Sequence, residues 1–310
     1  MRTKKFASVV VLAVMTCVGG IVATAPAQAA IAPGVNVMEW NMCGLDCNNG
    51  LYTANLKKSE AIITEWHPAI FLAVEICETR VSNFAAINGG WFGGHVFYPK
   101  RSTGNANCGR IGTAIFTHRA ATNLGSVQIP VRVASGALDT VGCAKTEVGA
   151  NHVVTVACVT HLESSSDVTV QQAQLQGTTT TGTAPGNLTA GTSLWQGAAG
   201  WALDKANGKP LVFGGDFNLK RSRPEINHMY TNVIENGSAL TGQWFRELDQ
   251  TANLPTHFAA SENRKLDYIF FKHSYASNYS MPAGSPLKLA ASDHAVLYGQ
   301  ARLCSTTAEC

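Results

Sequence analysis

The 310-residue sequence has few charged residues and lacks several motifs that would have indicated its chemistry. Charged residues make up 14% of it, against roughly 25% in typical domains, which argues against a broad electrostatic surface for nucleic acid. No Gly-x-Ser-x-Gly motif surrounds any serine, so a serine hydrolase of that type is excluded. Gly208-Lys209 is followed by Pro210 rather than Ser or Thr, which excludes a Walker A loop.

The first 29 residues have the features of a secretory signal peptide. Arg2, Lys4 and Lys5 precede a largely apolar run, and Ala27-Gln28-Ala29 supplies a small-x-small cleavage site. We therefore expect a secreted protein without a stable membrane anchor, whose mature chain, residues 30–310, is a single domain. Removal of three basic residues takes the formal charge from +3 to zero, so the mature chain should be nearly neutral.

Cysteine usage agrees with export. Of nine cysteines, Cys17 leaves with the signal peptide and eight remain. An even number of cysteines in an oxidising compartment predicts disulfides. A zinc site built from Cys and His is the alternative, but no paired Cys-x-x-Cys spacing supports it. The pairings that we expect are Cys43 with Cys47, Cys77 with Cys108, Cys143 with Cys158, and Cys304 with Cys310.

Polar residues lie at the ends of apolar runs that predict strands, in widely separated parts of the chain. Polar residues at the ends of several strands can together form an active site on a β-sheet scaffold. Runs 35–40, 69–74, 153–160 and 211–213 come before Asn41, Glu75, His161 and Gly215-Asp216-Phe217-Asn218, whereas runs 268–271 and 296–298 come after Asp267 and Ser292-Asp293-His294.

Helical patterns alternate with these strands at Leu56–Trp66, Asp167–Gln176 and Ser193–Ala206, which predicts a mixed α/β fold. The stretch Thr178–Thr192 is expected to be a polar loop. No Pro/Ser-rich or charged linker divides the chain, which favours one domain over two.

The residue types at these strand ends suit metal-assisted hydrolysis of a phosphoester. Carboxylate and amide oxygens are the ligands that hard cations prefer. If the segment after the run 211–213 is extended, Asp216 and Asn218 point to the same face. There, one side chain can orient water and the other can bind phosphate. His294 is the best general base, since an ordinary pKa near 6.5 suits proton transfer. The residues alone allow it to pair with either Asp267 or Asp293.

The ordered set of motifs resembles the endonuclease/exonuclease/phosphatase superfamily, the DNase I-like group. The motifs are Trp40-Asn41, Glu75, Thr160-His161-Leu162, Gly215-Asp216-Phe217-Asn218, Leu266-Asp267-Tyr268 and Ser292-Asp293-His294. The resemblance implies a four-layer α/β/β/α sandwich of two mixed β-sheets flanked by helices, with the active site at one edge.

The resemblance also implies the roles of these residues. His161, Asp216, Asn218, Asp267 and His294 are expected to be catalytic, with Asp267 paired to His294 and His161 on the phosphate or the leaving group. The expected metal ligands are Asn41, Glu75 and Asp293, although Asn41 could instead orient Glu75. The expected ion is Mg²⁺ or Mn²⁺, with Ca²⁺ as a structural or activating alternative.

One position departs from the family pattern. Nucleases of this group commonly have an Arg two residues after the metal-ligand Glu, where this chain has Cys77. Arg110, Lys220 and Arg221 could supply the phosphate contacts instead, but a solvated basic loop is the competing interpretation.

The function that we expect is that of a monomeric, metal-dependent nuclease that cuts DNA, with RNA as a second candidate substrate. A sphingomyelinase-like phospholipid phosphodiesterase is the first alternative, and Trp91-Phe92 is its only candidate membrane contact. The second alternative is a toxin subunit or binding module on the same scaffold. The presence of Glu75, Asp216 and His294 argues against it.

Overall fold

Most of the apolar runs become buried strands in the computed structural model of the chain. The structure describes residues 34–43, 60–86, 90–100, 108–128, 140–162, 197–222, 226, 229–230, 234–235, 238–239, 245–289 and 292–310. In chain order the strands are β1 Val35–Asn41, β2 Ile70–Cys77, β3 Gly94–Pro99, β4 Ile111–Thr117, β5 Thr122–Gln128, β6 Thr140–Val148, β7 Val153–His161, β8 Leu211–Asp216, β9 Ile234–Glu235, β10 Ser238–Ala239, β11 Phe245–Glu247, β12 His257–Phe258, β13 Asn263–Arg264, β14 Asp267–Lys272, β15 Ala276–Ser280, β16 Leu287–Lys288 and β17 Ala295–Leu303.

Two mixed sheets contain most of these strands. The first sheet has the order β15-β17-β1-β2-β4-β3, with β16 also paired to β17. The second has the order β11-β14-β8-β7-β6-β5. Each sheet has one parallel pair, β1 with β2 and β7 with β8, among antiparallel neighbours. Two short hairpins, β9–β10 and β12–β13, lie outside the two large sheets.

The two sheets pack face to face through a core of aliphatic side chains. Val37, Leu72 and Ile115 of the first sheet share one buried cluster with Val159 and Val212 of the second. Because side chains alternate along a strand, Val35 and Val37 place Asn41 on this same inner face, whereas Met38 and Trp40 point the other way. Asn41 therefore lies at the edge of the space between the sheets.

Helices cover the outer faces and complete the four expected layers. Helix α1, Glu78–Ala85, buries Val81 and Phe84 against Phe71 and Phe116 of the first sheet. Helix α2, Ala198–Ala206, buries a row of alanines against the second sheet. Its small side chains allow close approach of helix and sheet. The predicted four-layer fold is confirmed.

The helix predictions fall partly within the described residues. Residues 60–66 are helical, as predicted, and α2 begins five residues after the predicted start at Ser193. The predicted helix 167–176 and the predicted loop 178–192 lie outside the described residues. The described elements belong to one compact unit, Ala32–Cys310. None of the described helices has the length and apolar character needed to cross a membrane.

Three of the four expected disulfides are present in the structure: Cys77–Cys108, Cys143–Cys158 and Cys304–Cys310. Cys143 and Cys158 are directly opposed on β6 and β7, which explains why these flanks of a hairpin can be joined. The fourth pairing involves Cys47, which lies outside the described residues.

The mature protein is expected to contain no free thiol when it is purified without reductant. Eight cysteines in an oxidising compartment should all pair. Alkylation without reduction, followed by mass spectrometry, measures the number directly. Two or more modified cysteines would contradict the disulfide assignment and support the alternative of a cysteine metal site.

Candidate active site

The predicted polar residues lie side by side where strands of both sheets end. Asn41 is the last residue of β1, and Asp216 is the last residue of β8. In the second sheet, Asp216 is the register partner of His161 on one side and of Asp267 on the other. Three residues that are far apart in sequence therefore form one row. The strand-end positions that the sequence predicts are the positions that the structure brings together.

Glu75 comes from an irregular part of β2. The register between β2 and β4 shifts between Ala73 and Ile76, and Glu75 has a left-handed backbone with φ of 52°. A bulge of this kind re-aims a side chain near an active site. Glu75 is the only partly exposed residue of β2, and its Oε1 lies 3.6 Å from His161 Nε2.

Asn41 joins the two carboxylates of the site. Its Nδ2 donates to Asp216 Oδ2 at 3.0 Å and to Glu75 Oε1 at 3.3 Å. Its Oδ1 accepts a hydrogen bond from the backbone N–H of Cys43 at 2.9 Å, so the amide is oriented by contacts at both ends. This geometry favours the orienting role for Asn41 over that of an oxygen ligand.

The segment after β8 is not extended, which is the condition under which Asp216 and Asn218 would point to the same face. Asn218 has a left-handed φ of 51°, and its backbone N–H donates to Asp216 Oδ1 at 2.8 Å. This is a turn stabilised by the aspartate side chain, which short polar residues favour. Asn218 Nδ2 donates to the carbonyl of Leu162 at 2.7 Å and so connects the ends of β7 and β8.

The structure resolves the choice of partner for His294. His294 Nδ1 lies 2.7 Å from Asp267 Oδ2, and its Nε2 lies 3.8 Å from Asp216 Oδ2. Asp293 instead lies against His257, with Asp293 Oδ2 3.2 Å from His257 Nε2. The pairing with Asp267, which the family resemblance implied, is present.

The protonation of the buried pair follows from its surroundings. Burial alone would lower the pKa of His294, but the charge and hydrogen bond of Asp267, together with Asp216 and Asp293, raise this pKa to about 10. Burial, and then the charge of Asp267, raise the pKa of Asp216 to about 7, against the opposing effect of His294. At pH 7 the metal-free protein therefore holds His294 as an imidazolium, and Asp216 titrates close to neutrality.

Replacing Asp267 by Asn is expected to lower the pKa of His294. The variant removes the main favourable charge while burial, which acts in the opposite direction, remains. NMR titration of the His294 ring in the metal-free protein measures the change. A pKa that stays at about 10 in the folded variant would contradict the role of Asp267.

His161 differs from His294 in its charge state. Burial, and then the nearby charges of Lys100 and His294, hold the pKa of His161 well below its usual range. His161 is therefore a neutral imidazole at pH 7. Its Nε2 lies 3.6 Å from Glu75 and 3.8 Å from Asp216, on the opposite side of Asp216 in the sheet from Asp267.

Glu39 is a buried acid that the sequence prediction missed. It lies two residues before Asn41 on the same face of β1, is fully buried, and has no hydrogen-bond partner for either oxygen among the described residues. Burial, and then the charges of Asp267 and Asp216, raise the pKa of Glu39 well above its usual value. The neutral form is favoured, so Glu39 adds little negative charge beneath the site.

The donor set at the strand ends suits a hard divalent cation. Glu75 and Asp216 present carboxylate oxygens that share Asn41 Nδ2 and flank His161 Nε2. Oxygen donors of this kind bind Mg²⁺ and Mn²⁺. In addition, Asp216, Asp267 and His294 have donor atoms within 4.8 Å of one another. These residues fit a divalent ion.

The basic residues predicted to bind phosphate have partners in the structure. Arg110 forms two side-chain contacts with Glu78, at 2.5 Å and 2.9 Å. Lys220 Nζ lies 2.7 Å from Glu262, and the Arg221 guanidinium lies 3.9 Å above the Tyr230 ring. Cys77 is held in a disulfide, so the family's arginine position contributes no charge.

His257 is a second residue of this region that the sequence prediction missed. It lies on the two-residue strand β12, where no apolar run marks a strand. A backbone bridge joins it to His294, and the centres of the two rings are 4.7 Å apart. The only sequence signal was its position after Thr256, nine residues before the motif Leu266-Asp267-Tyr268.

Comparisons with known proteins agree with this architecture. The model of the Endonuclease/Exonuclease/phosphatase family matches residues 38–294. Among curated proteins, none matches the chain significantly.

Solved structures show the same fold at low sequence identity. The human Nocturnin catalytic domain with bound sulfate anion has a TM-score of 0.56 and 16% identity over 87% of this chain and 94% of that one. An endonuclease/exonuclease/phosphatase from Bacteroides vulgatus has a TM-score of 0.57 and 15% identity, over 87% of this chain and 99% of that one. D. rerio TDP2 complexed with single strand DNA product has a TM-score of 0.54 and 14% identity, over 87% of this chain and 99% of that one.

Proposed function

The chain belongs to the endonuclease/exonuclease/phosphatase family, and we propose that it is a secreted, divalent-metal-dependent nuclease whose main substrate is DNA. The observation that carries the proposal is the convergence of Glu75, Asp216 and the Asp267–His294 pair at the edge between two sheets. One similar structure holds a sulfate anion and another a single-strand DNA product, which supports a phosphodiester substrate.

Secretion is proposed on the signal-peptide features of residues 1–29 and on the disulfides. Three described disulfides suit an oxidising compartment. We propose a single catalytic domain over residues 30–310 that acts as a monomer.

In the proposed mechanism, the residues at the strand ends have different tasks, and Asp216 has two. Glu75 and Asp216 would hold Mg²⁺ or Mn²⁺, and Asn41 keeps the two carboxylates in place through its amide. When bound, the ion neutralises charge on the phosphoryl oxygens and makes water a better nucleophile. The proton of the attacking water is taken up within the Asp216–His294 pair by the Asp216 carboxylate, because His294 already carries both ring protons at pH 7. The nearest atoms of the pair are 3.8 Å apart.

The remaining residues orient the pair and the substrate. Asp267 holds Nδ1 of His294, so the other ring nitrogen, Nε2, is on the side of Asp216. His161, as a neutral imidazole, donates a hydrogen bond to the phosphate or to the leaving oxygen. Asn218 keeps the ends of β7 and β8 together through Leu162 and offers its remaining amide hydrogen to the phosphate.

The phospholipid alternative is not favoured by the described surface. Phe92 is 5% exposed and belongs to the core on the outer face of the first sheet. Trp91 donates its ring N–H to the carbonyl of Pro68 and stacks on His118. Neither side chain forms an exposed apolar segment of the kind that a membrane contact needs.

The affinity for DNA is expected to depend only weakly on salt. Arg110, Lys220 and Arg221 are proposed to contact phosphates, and each must exchange an existing partner to do so. Each phosphate neutralised on duplex DNA contributes about 0.9 to the slope of log affinity against log salt. Replacing Lys220 and Arg221 together by Ala should reduce the slope by up to about 2. Binding titrations at several salt concentrations measure it, and an unchanged slope would contradict these contacts.

The proposed function is tested with the purified mature protein on supercoiled plasmid, RNA and sphingomyelin. Each substrate is incubated with Mg²⁺, Mn²⁺, Ca²⁺ or EDTA. We expect plasmid cleavage that needs a divalent cation and stops with EDTA. Sphingomyelin hydrolysis without cleavage of plasmid or RNA would replace the nuclease with the lipid alternative, and absence of all hydrolysis would favour the binding module.

A further inference from the structure

Beside the proposed catalytic row lies a second group of possible metal ligands, which adds His257 and Asp293, unused in the mechanism above, to His294. His257, Asp293 and His294 each have a donor atom within 4.8 Å of the other two. This group differs from the one around Glu75 in its chemistry, because it offers two imidazole nitrogens and a single carboxylate. Imidazole suits zinc and similar transition ions, whereas Mg²⁺ and Ca²⁺ prefer oxygen donors.

The separation of His257 and Asp293 suits a small tetrahedral ion, and all three donor atoms of the group lie within 4.8 Å of one another. Zinc binds His nitrogen at about 2.0–2.1 Å and carboxylate oxygen at about 2.0–2.2 Å, so two tetrahedral ligands lie about 3.4 Å apart. His257 Nε2 and Asp293 Oδ2 are 3.2 Å apart. His257 Nδ1 is buried, so Nε2 is the nitrogen that an ion can reach.

The backbone fixes the positions of the ligands. The N–H of Phe258 donates to the carbonyl of Asp293 at 2.8 Å, and the N–H of Ala295 donates to the carbonyl of Thr256 at 2.6 Å. These two bonds flank the bridge between His257 and His294. Two ligand-bearing segments are therefore held in register before any ion binds.

His294 already has the outer partner that metal-binding histidines usually have. Such a histidine donates its second ring N–H to a carboxylate, which fixes the ring and makes the ligand nitrogen more basic. Asp267 Oδ2 lies 2.7 Å from His294 Nδ1, so Nε2 is the ring nitrogen that can bind an ion, with release of its proton. The same arrangement that prepares His294 for proton transfer also prepares it for zinc.

We propose that His257, Asp293 and His294 form a zinc-binding site, distinct from the hard-cation site at Glu75 and Asp216, and that zinc bound there inhibits the enzyme. The ion takes His294 Nε2 away from the Asp216–His294 pair. Asp293, expected from the sequence to hold the catalytic ion, is assigned to this second site. The inhibitory part rests on the proposed function, whereas the binding part does not.

The binding part is tested on the full mature protein with Zn²⁺ as the ligand in equilibrium dialysis, and with Co²⁺ as a visible-absorption probe of the coordination. The variants are His257→Gln and Asp293→Asn. The matched control is His152→Gln, because His152 also contacts a carboxylate, Glu147, at 2.9 Å, but both side chains are about half exposed. Loss of an outer-shell partner alone weakens metal binding about 10–100-fold, so loss of a ligand should cost at least about tenfold.

We expect wild type and His152→Gln to bind one zinc ion equally, and both site variants to bind it at least about tenfold more weakly. Circular dichroism confirms that each variant is folded, and Asp293→Asn provides the test if His257→Gln does not fold. Site variants that bind Zn²⁺ as tightly as His152→Gln would overturn the proposal. This result is independent of whether any substrate is hydrolysed.

The inhibitory part is measured on plasmid cleavage with saturating Mg²⁺. Zn²⁺ should inhibit wild type and His152→Gln, and raising Mg²⁺ tenfold should not relieve the inhibition because the two sites differ. The concentration for half inhibition should rise at least about tenfold in His257→Gln, relative to that variant's own zinc-free rate. Relief by Mg²⁺, or equal sensitivity in His257→Gln, would show that zinc acts at the catalytic ion's site instead.

Discussion

Replacing Asp216 by Asn, or His294 by Ala, is expected to lower the turnover of plasmid cleavage by at least about 10³-fold. Removal of a group that transfers protons commonly costs 10²–10⁴-fold. Asp216 is also proposed to hold the cation, which the neutral amide of Asn does much less well. Initial rates at saturating substrate and Mg²⁺ measure the effect. More than a tenth of the wild-type activity in either variant would reject its assigned role.

Loss of activity in these variants should not reflect loss of the fold. Asp216 is 2% exposed, and its carboxylate is disfavoured by burial and by the charge of Asp267. The Asn variant removes this unfavourable charge but also one of the two oxygens that accept from Asn41 and Asn218, so its Tm should stay close to that of wild type. Asp204→Asn is a matched control, because Asp204 is an exposed residue of helix α2. It should retain full activity.

Replacing Lys265 by Met is expected to destabilise the protein by about 3–5 kcal/mol, the usual cost of removing one partner from a buried ion pair. Lys265 Nζ lies 2.8 Å from both Glu247 and Asp249, and all three side chains are nearly inaccessible to solvent. Glu247 also accepts a hydrogen bond from the Tyr230 hydroxyl. The variant leaves two acids in the interior without their cation. Denaturant unfolding of both proteins measures the difference.

The exposed pair Lys220–Glu262 is the control for this prediction. Its Nζ–O distance of 2.7 Å matches that of the buried pair, but the side chains are 41% and 48% exposed. Exposed pairs contribute about 0–1 kcal/mol, so Lys220→Met should change stability by less than about 1 kcal/mol. A combined Lys265→Met and Glu247→Gln variant should recover part of the loss. Equal effects of Lys265→Met and Lys220→Met would contradict the importance of burial.

The fold and the row of site residues could be predicted because both depend on local patterns. Apolar runs of four to eight residues mark buried strands, and the polar residue that ends each run is visible in the sequence. Parallel and antiparallel partners then bring these ends to one edge, as with His161, Asp216 and Asp267. The family resemblance supplied the order of the four layers, which the pattern of apolar runs alone did not.

What could not be predicted depends on contacts between distant parts of the chain. The partners of Arg110 and Lys220 are 32 and 42 residues away, so no local pattern indicates that these cations are paired. Asn218 has a left-handed rather than an extended backbone because the Asp216 side chain accepts a hydrogen bond from its N–H. His257 was missed because a strand of two residues has no periodicity.

The pairing of the first and last long strands has a consequence for synthesis of the chain. β1 lies between β2 and β17, and the hydrogen bond from Trp40 Nε1 to the carbonyl of His294 spans 254 residues. At about 5–20 residues per second, the ribosome needs roughly 10–50 s to make the intervening chain. Until then β1 lacks one neighbour, and Asp216 lacks His294. The proposed active site of a nascent chain therefore stays incomplete until the segment that contains His294 has been translated.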